Sequence, residues 1–562
     1  MSRNQVFQRV GGLRPRRNMF DLSYTKALTC KFGQLIPVLC DEAVPGDVWT
    51  IGNELLIRLQ PMVHPVMHEI NATVHYFFVP TRIIDDNWES FINKQDNTEY
   101  QIPRVTYSDT SRITRGSLWD YFGFPLRTTI NDSTQQPSLM PIIYPWWCYN
   151  KIYNEYYRDE NLQDENSTDG VLLYPRYRNW VKDYFTSALK DRVKGQAPAL
   201  PVNISLTSSS DLANAAAELK WFDTNYPGLA SAQPVMPYYL DQTTSAVLPG
   251  HPGTNANGLP PNSTRTMLTV PNSNQSAASY NRFGTRYSDI AAAISANATT
   301  FNISDLRLAT QLQKWLERNA RAGSERYTTF LASHFGVSPS DSRLDRPEYI
   351  GGTKQPVIIS EVLQTGETSA SPQGNMSGHG ISARQGYAGK YRVEEYGYVM
   401  GLLSVMPKPQ YQNGINRQWL RRLPIDFYFP EFAHLSEQGI YRTEIYSTFG
   451  ALDSTADPVG DLGIFGYQGQ YDEMRVKHDM VCADFRKIPG SNDLALSPWV
   501  IARAFDDASI PMLNSQFITC NPDLSNNFLV TDVDPILVNI RNNLRVARPM
   551  PLIAEPGLMD HF

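Results

Sequence analysis

The chain has 562 residues, 41% of them hydrophobic and 11% aromatic, which is enough apolar material for a sizeable packed core and excludes a disordered chain. Its formal net charge of -6 excludes a histone-like polyanion binder acting through the whole chain, so any DNA contact must be local. The 39 prolines and 35 glycines follow no period, which excludes a collagen-like repeat and suits a β-leaning protein of many turns and long loops.

The first seventeen residues carry Arg3, Arg9, Arg14, Arg16 and Arg17 and no acid, a local charge of +5 on an acidic chain. Guanidinium groups suit phosphate, and Gly11 and Gly12 would let such an arm follow a nucleic-acid backbone. A terminal tail kept soluble by its charge explains the same residues equally well. No apolar stretch of signal-peptide type opens the chain, and nowhere do eighteen apolar residues run together, so the expectation is a soluble protein with no membrane insertion.

From Gly33, short apolar or alternating runs punctuated by the turn-forming Pro45 to Asp47 predict three strands, ending in HEINATVHYFFVP. Alternation is clearest at Ile70, Ala72, Val74 and Tyr76, with Asn71, Thr73 and His75 on the other face. Helices are expected over 82–95, where Ile83, Ile84, Trp88, Phe91 and Ile92 recur at helical spacing, and around Tyr149 to Arg158. A third is expected over 304–321, with Ser304 as its N-cap and Leu306, Leu308, Leu312, Trp315 and Leu316 along it.

Between about 195 and 300 the composition shifts to Pro, Gly, Ser, Thr, Asn and Ala, and only nine charged residues fall between Pro201 and Thr300. Trp221, Phe222, Tyr238 and Tyr239 favour a packed, surface-projecting excursion here over a plain linker. Strand-like runs return at YGYVMGLLSVMP from Tyr396, PIDFYFPEF from Pro424 and VNIRNNLRVARPMPL near the end. Strands at both ends of the chain with irregular material between imply non-local pairing in a mainly β sandwich with long insertions.

Motifs for chemistry are sparse. Gly389-Lys390 lacks the earlier glycine of a P-loop, there is no G-x-S-x-G elbow, and the glycines of SGHGISARQG around Gly378 read as plain loop. His64, His68 and His75 are the cluster to weigh for metal, but Pro65 and the strand-like alternation spread them apart, so structural histidines are expected. The pairs Asp85-Asp86, Glu394-Glu395 and Asp506-Asp507 read as solvated turn positions. Five scattered cysteines with no C-x-x-C pair read as reduced structural thiols of a protein folded in a reducing cytoplasm. No catalytic residue, metal or cofactor is assigned.

Several segments, read in order, resemble the major capsid proteins of the gokushovirus branch of the microviruses, small tailless single-stranded-DNA bacteriophages. They include FDLSYTKALTCKFGQLIPVLCDEAVPGD from Phe20, PMVHPVMHEINATVHYFFVPTRIIDDNWESFI from Pro61, YNKIYNEYYRDENLQ from Tyr149 and DYFTSALK from Asp183. NISDLRLATQLQKWLERNARAGSERYTTFLASHFGV from Asn302, RPEYIGG from Arg346, TSASPQGN from Thr368 and ARPMPLIAEPGLMDHF at the end continue the likeness.

That resemblance implies an eight-stranded antiparallel jelly roll with long helical and irregular loop insertions, assembled with copies of itself into a T=1 icosahedral shell around circular single-stranded DNA. It divides the chain into a basic arm (1–30), a first jelly-roll part with helical insertions (31–194), a threefold protrusion for host attachment (195–300) and the remaining jelly roll (301–562). Small basic DNA-packaging and pilot proteins, a host cell-surface receptor and assembly in the host bacterial cytoplasm are implied with it. The basic arm is the DNA-contact candidate, with a packaging protein as its other possible partner. The protrusion's Trp221, Phe222, Tyr238 and Tyr239 are the attachment candidates. PWWCYNKIYNEYYR from Pro145 is expected to be buried core ahead of subunit contact.

Two other classes compete. A β-sandwich hydrolase or lectin acting on surface glycans would need a convergent titratable pair or a binding cleft, and no such pair stands out. A sequence-specific DNA-binding protein would need a recognisable helix-turn-helix or zinc motif.

Overall fold

The computed structural model describes residues 16–93, 100–105, 113–126, 141–167, 170–194, 303–322, 326–363, 376–435, 438–447, 463–488, 496–506, 510–524, 526–530 and 532–553, with short strand segments between 222 and 284. The chain divides into two compact units, Met1–Gly195 with Leu316–Phe562, and Gln196–Trp315.

In chain order the strands begin with β1 (Asn18–Asp21), β2 (Tyr24–Cys30), β3 (Ile36–Ala43), β4 (Val48–Leu59) and β5 (Ile70–Pro80). The second unit carries the short β6 (Phe222–Asp223), β7 (Tyr238–Leu240), β8 (Val247–Pro249), β9 (Thr266–Leu268) and β10 (Phe283–Gly284). Then follow β11 (Glu348–Leu363), β12 (Met376–Arg392), β13 (Gly397–Pro407), β14 (Gln410–Tyr411), β15 (Gln438–Tyr441), β16 (Ile464–Gln468), β17 (Asp479–Met480) and β18 (Ile536–Arg548).

Eight of these strands pair like a long hairpin rolled on itself. The first pairs with the last (β2 with β18), the second with the seventh (β3 with β13), the third with the sixth (β4 with β12) and the fourth with the fifth (β5 with β11), all antiparallel. Cross-pairs β18 with β4 and β13 with β5 complete two four-stranded sheets, β2-β18-β4-β12 and β3-β13-β5-β11. This nested pairing is the connectivity of a jelly roll. β11 joins the sheets, because its Glu348–Val357 part pairs with β5 and its Ile358–Leu363 part with β12.

Period-2 burial runs the length of β4, where Trp49, Ile51, Leu55 and Ile57 point inward, and of β18, where Val538, Ile540 and Leu544 do the same. They meet Ile70, Ala72, Val74 and Tyr76 of β5 in one core, the inward face the sequence predicts. Asn542 of β18 donates its side-chain N–H to the carbonyl of Val38 on β3 at 3.0 Å, a polar tie between the two sheets.

The outer face of the β3-β13-β5-β11 sheet is also covered. Phe77, Val79, Met400 and Leu402 pack under α2 (Leu118–Tyr121) and α3 (Tyr144–Ile152), with Trp119 and Trp146 4.6 Å apart between ring centroids. Burying an aromatic side chain of this size is worth about 1.5–3 kcal/mol. PWWCYNKIYNEYYR is therefore core. Pro145 sits in the first turn of α3, where its missing N–H costs nothing, and a π-helical turn over Tyr153–Tyr157 continues it, so this helix starts earlier than the sequence predicts.

Other expectations are corrected. The 82–95 segment is a 3-10 turn at Thr81–Ile83 followed by α1 (Trp88–Asn93). Asp85 breaks it by accepting from the backbone N–H of Asn87 at 3.0 Å, a local bond that competes with the helix. Asp85 is also buried, accepting the hydroxyls of Tyr144 at 2.6 Å and Tyr100 at 2.7 Å, so it is no solvated turn acid. The third helix runs Ile303–Arg321, which places Ser304 inside its first turn and not at its cap.

PIDFYFPEF is not a strand. Pro424 and Pro430 each open a 3-10 turn, Pro424–Asp426 and Pro430–Phe432, and neither can donate to a sheet ladder. Conversely, SGHGISARQG is not a loop but part of β12. Its glycines answer a close approach of strands: a Cβ on Gly386 would stand 2.5 Å from Thr353 Cγ2, where β11 and β12 converge. The latter part of the segment that the sequence marks as an arm, residues 18–30, pairs into the sheet as β1 and β2.

Candidate nucleic-acid interface

The two sheets differ in what covers them. Among the described residues, no layer of packed helices lies on the outer face of β2-β18-β4-β12, and its outward positions follow from the register. Cross-strand rows read Thr29, Leu537, Arg58 and Ile381, then Ala27, Asn539, Leu56 and Ala383, then Thr25, Arg541, Glu54 and Gln385. Further along, Asp21, Arg545, Thr50 and Lys390 form a row, and Arg392 follows beside Val48. Arg58, Lys390, Arg392, Arg541 and Arg545 are all exposed.

These cations share the face with the carboxylates of Glu54 and Asp21. Glu54 accepts from the Asn543 side chain at 3.0 Å. Asp21 is held below the usual carboxylate range by hydrogen bonds from Ser23 first, and by Arg545 and Arg541 besides. Two shallow depressions of about 640 and 370 Å³ open on the face, the first beside Arg541 and Gln385, the second beside Arg58 and Leu537. Tyr387 stands exposed at its edge, a flat ring on which a base could stack.

Arg16 and Arg17 are exposed and lead directly into β1, which lies beside the Arg545 end of β18. Arg3, Arg9 and Arg14 lie outside the described residues, as does Trp221. Phe222 pairs with Gly284 in β6 and β10, and Tyr238 and Tyr239 lie in β7 between β8 and β9. The strand cations have a signal in the sequence: Arg541 and Arg545, four apart in an alternating run, must share one face of a strand.

The three histidines occupy separate environments. His64 stacks on Trp499, His68 Nε2 meets the Lys408 carbonyl at 2.7 Å, and His75 Nδ1 meets the Tyr157 hydroxyl at 2.9 Å. Among the described residues no group of three or more His, Cys, Asp or Glu is placed to hold a metal ion. Cysteines 30, 40, 148, 482 and 520 are unpaired, and burial pushes the thiols of Cys40 and Cys520 up to about 12, so they stay protonated. Among the described residues, no helix is long and apolar enough to cross a membrane.

A rolled antiparallel sandwich whose connections have grown into long excursions, with one sheet buried under helices and the other presenting an open basic face, is the architecture of a viral capsid subunit. The chain belongs to the capsid protein (F protein) family of phages, whose model matches residues 9–558. It is similar to capsid protein VP1 of Chlamydia phage 1, 33% identical over 603 residues that cover 97% of this chain and 96% of that one. Capsid protein VP1 of Bdellovibrio phage phiMH2K is 31% identical, covering 99% and 98% of the two chains, and that of Spiroplasma virus 4 is 28% identical, covering 94% and 92%. The resemblance to gokushovirus capsid proteins holds, and the role of the chain is structural, as a virion component.

Proposed function

We propose that copies of this chain close into a T=1 icosahedral shell around a circular single-stranded DNA genome, with the open basic sheet face and the N-terminal arm on the DNA side. The observation that carries the DNA side is the row arrangement of Arg58, Arg541, Arg545, Lys390 and Arg392 on an uncovered sheet next to the strand that the arm enters. Such a face offers positive charge to phosphates wherever they fall, which suits packing DNA of any sequence. The subunit does no chemistry in this reading.

The 195–300 excursion, with Trp221, Phe222, Tyr238 and Tyr239, then serves attachment to a host cell-surface receptor. Small basic DNA-packaging and pilot proteins share the particle, which is built in the host bacterial cytoplasm. In particles purified from producing cells, Arg541→Ala with Arg545→Ala should lower the salt dependence of DNA retention by about 0.7 in log-log slope for each phosphate left without its arginine. An unchanged slope would take this face off the DNA, and chains that never close into shells with every phage protein supplied would sink the capsid reading itself.

A further inference from the structure

Between β14 and β15, residues 417–435 form a platform whose backbone is tied down and whose large side chains are turned to water. Tyr471 is buried beneath it, and its hydroxyl donates towards the carbonyls of Phe427 at 2.8 Å and Ile425 at 3.1 Å while accepting the N–H of Phe429 at 3.3 Å. Arg475 donates to the Ala433 carbonyl at 3.0 Å, and buried Arg417 anchors the start through Glu444 at 2.9 Å and the Gly439 carbonyl at 2.6 Å. Tyr471 holds φ at 65°, a strained backbone for a bulky residue that persists only where surroundings enforce it.

On this support, Trp419 is 75% exposed, Leu423 61%, Tyr428 55% and Phe427 54%, with Phe429 and Leu435 beside them. Summed over these six side chains, size and exposure come to roughly 700 Å² of mostly apolar surface. It approaches the about 800 Å² that each partner buries in a stable interface. Arg421 lies 5.7 Å from the centroid of the Phe427 ring and Arg475 reaches the same segment at Ala433, so guanidinium groups accompany the aromatic rings, as at interface centres. Asp426 and Glu431 lie in the same segment, and their negative charge is wrong for a phosphate partner.

We infer that the 417–435 platform is a contact between subunits, its occupant a second copy of this chain. The inference rests on the shell reading above, since a closed symmetric assembly covers the same patch on every copy. It assigns the outward rings of a segment that reads as an ordinary strand in the sequence to binding and not to the subunit's own core.

The test is oxidative footprinting of Trp419 and Tyr428 in the full wild-type chain, free and in closed shells. Labelling should fall at least about tenfold in shells, as for fully desolvated interface anchors. Shells that form while both residues keep their free-chain rate would overturn the inference and leave the shell reading standing. Protection that appears only when a different virion protein is added would give the platform to that protein and overturn it too. As a second arm, Trp419→Glu with Phe427→Glu should keep the melting temperature of the free chain, because both side chains are exposed, and cut shell yield at least about tenfold. Wild-type yield from a folded double variant would overturn it as well, and if that variant fails to fold, the wild-type footprint decides.

Discussion

Arg548, at the end of the last strand, grips the buried carboxylate of Asp47, 501 residues earlier, with Nε at 3.0 and 3.2 Å from its two oxygens and a terminal nitrogen at 2.9 Å. Asp47 also accepts the backbone N–H of Val44 at 3.1 Å, closing the turn between β3 and β4, and the guanidinium lies 5.8 Å from the Trp49 ring centroid. One ion pair thus ties the turn that leads into the third strand of the roll to the end of its last strand. Asp47→Ala would leave Arg548 without its counterion and should cost about 3–5 kcal/mol in denaturant unfolding of the free chain. A loss under about 1 kcal/mol would mean the pair is incidental to the roll.

Trp146 is fully buried against Trp119 and within 5.0 Å, between centroids, of Phe122. Trp146→Ala should open a cavity under the helical layer and destabilise the chain by about 3–5 kcal/mol, with the melting temperature as the readout. Trp419→Ala, on the exposed platform, should change it by no more than about 0.5 kcal/mol.

Burial, reinforced by Arg178, lowers His75 from 6.5 to about 4, and burial likewise lowers His68 and His478. Between those two pH values the unfolded chain binds a proton that the folded chain refuses. The stability tied to His75 is therefore fully present above about pH 6.5 and is lost as pH falls towards 4. The full share is on the order of 3 kcal/mol. His75→Gln should flatten that part of the stability profile, measured by urea unfolding between pH 4 and 7, and an unchanged profile would show that His75 titrates normally.

Deletion of residues 1–17 removes five arginines and stops short of β1, which begins at Asn18. The folded core should keep its circular dichroism and melting temperature, while DNA retention loses salt dependence. Undiminished salt dependence would take the arm off the DNA and favour a protein partner for it.

Where the physics is local, the sequence is legible. The alternation of Ile70, Ala72, Val74 and Tyr76 puts one face of β5 in the core, because successive side chains on a strand point to opposite sides whatever the strand pairs with. Leu306 to Leu316 mark a helix by spacing alone. The segments misread are those whose state depends on a distant neighbour. SGHGISARQG carries loop-like glycines but pairs with β4, because Gly380 leaves room for Leu59 of β4 and Gly386 for Thr353 of β11, and the rings of PIDFYFPEF suggest a strand until two prolines and the Tyr471 hydroxyl fix it as turns.

The candidate surface divides in the same way. That Arg541 and Arg545 share a face is written in their spacing, and the charge of the arm in its composition. That Arg58, Lys390 and Arg392 join them, and that no described helix covers the face they make, is settled by the register of strands separated by hundreds of residues. The sequence by itself determined which residues alternate, how the arm is charged and which family the chain resembles, since these follow from order along the chain. Only the tertiary structure decided what covers each sheet: α2 and α3 close over the apolar outer positions Phe77, Val79, Met400 and Leu402 of one, because that is where they find apolar surface to bury, and the charged rows of the other are left open.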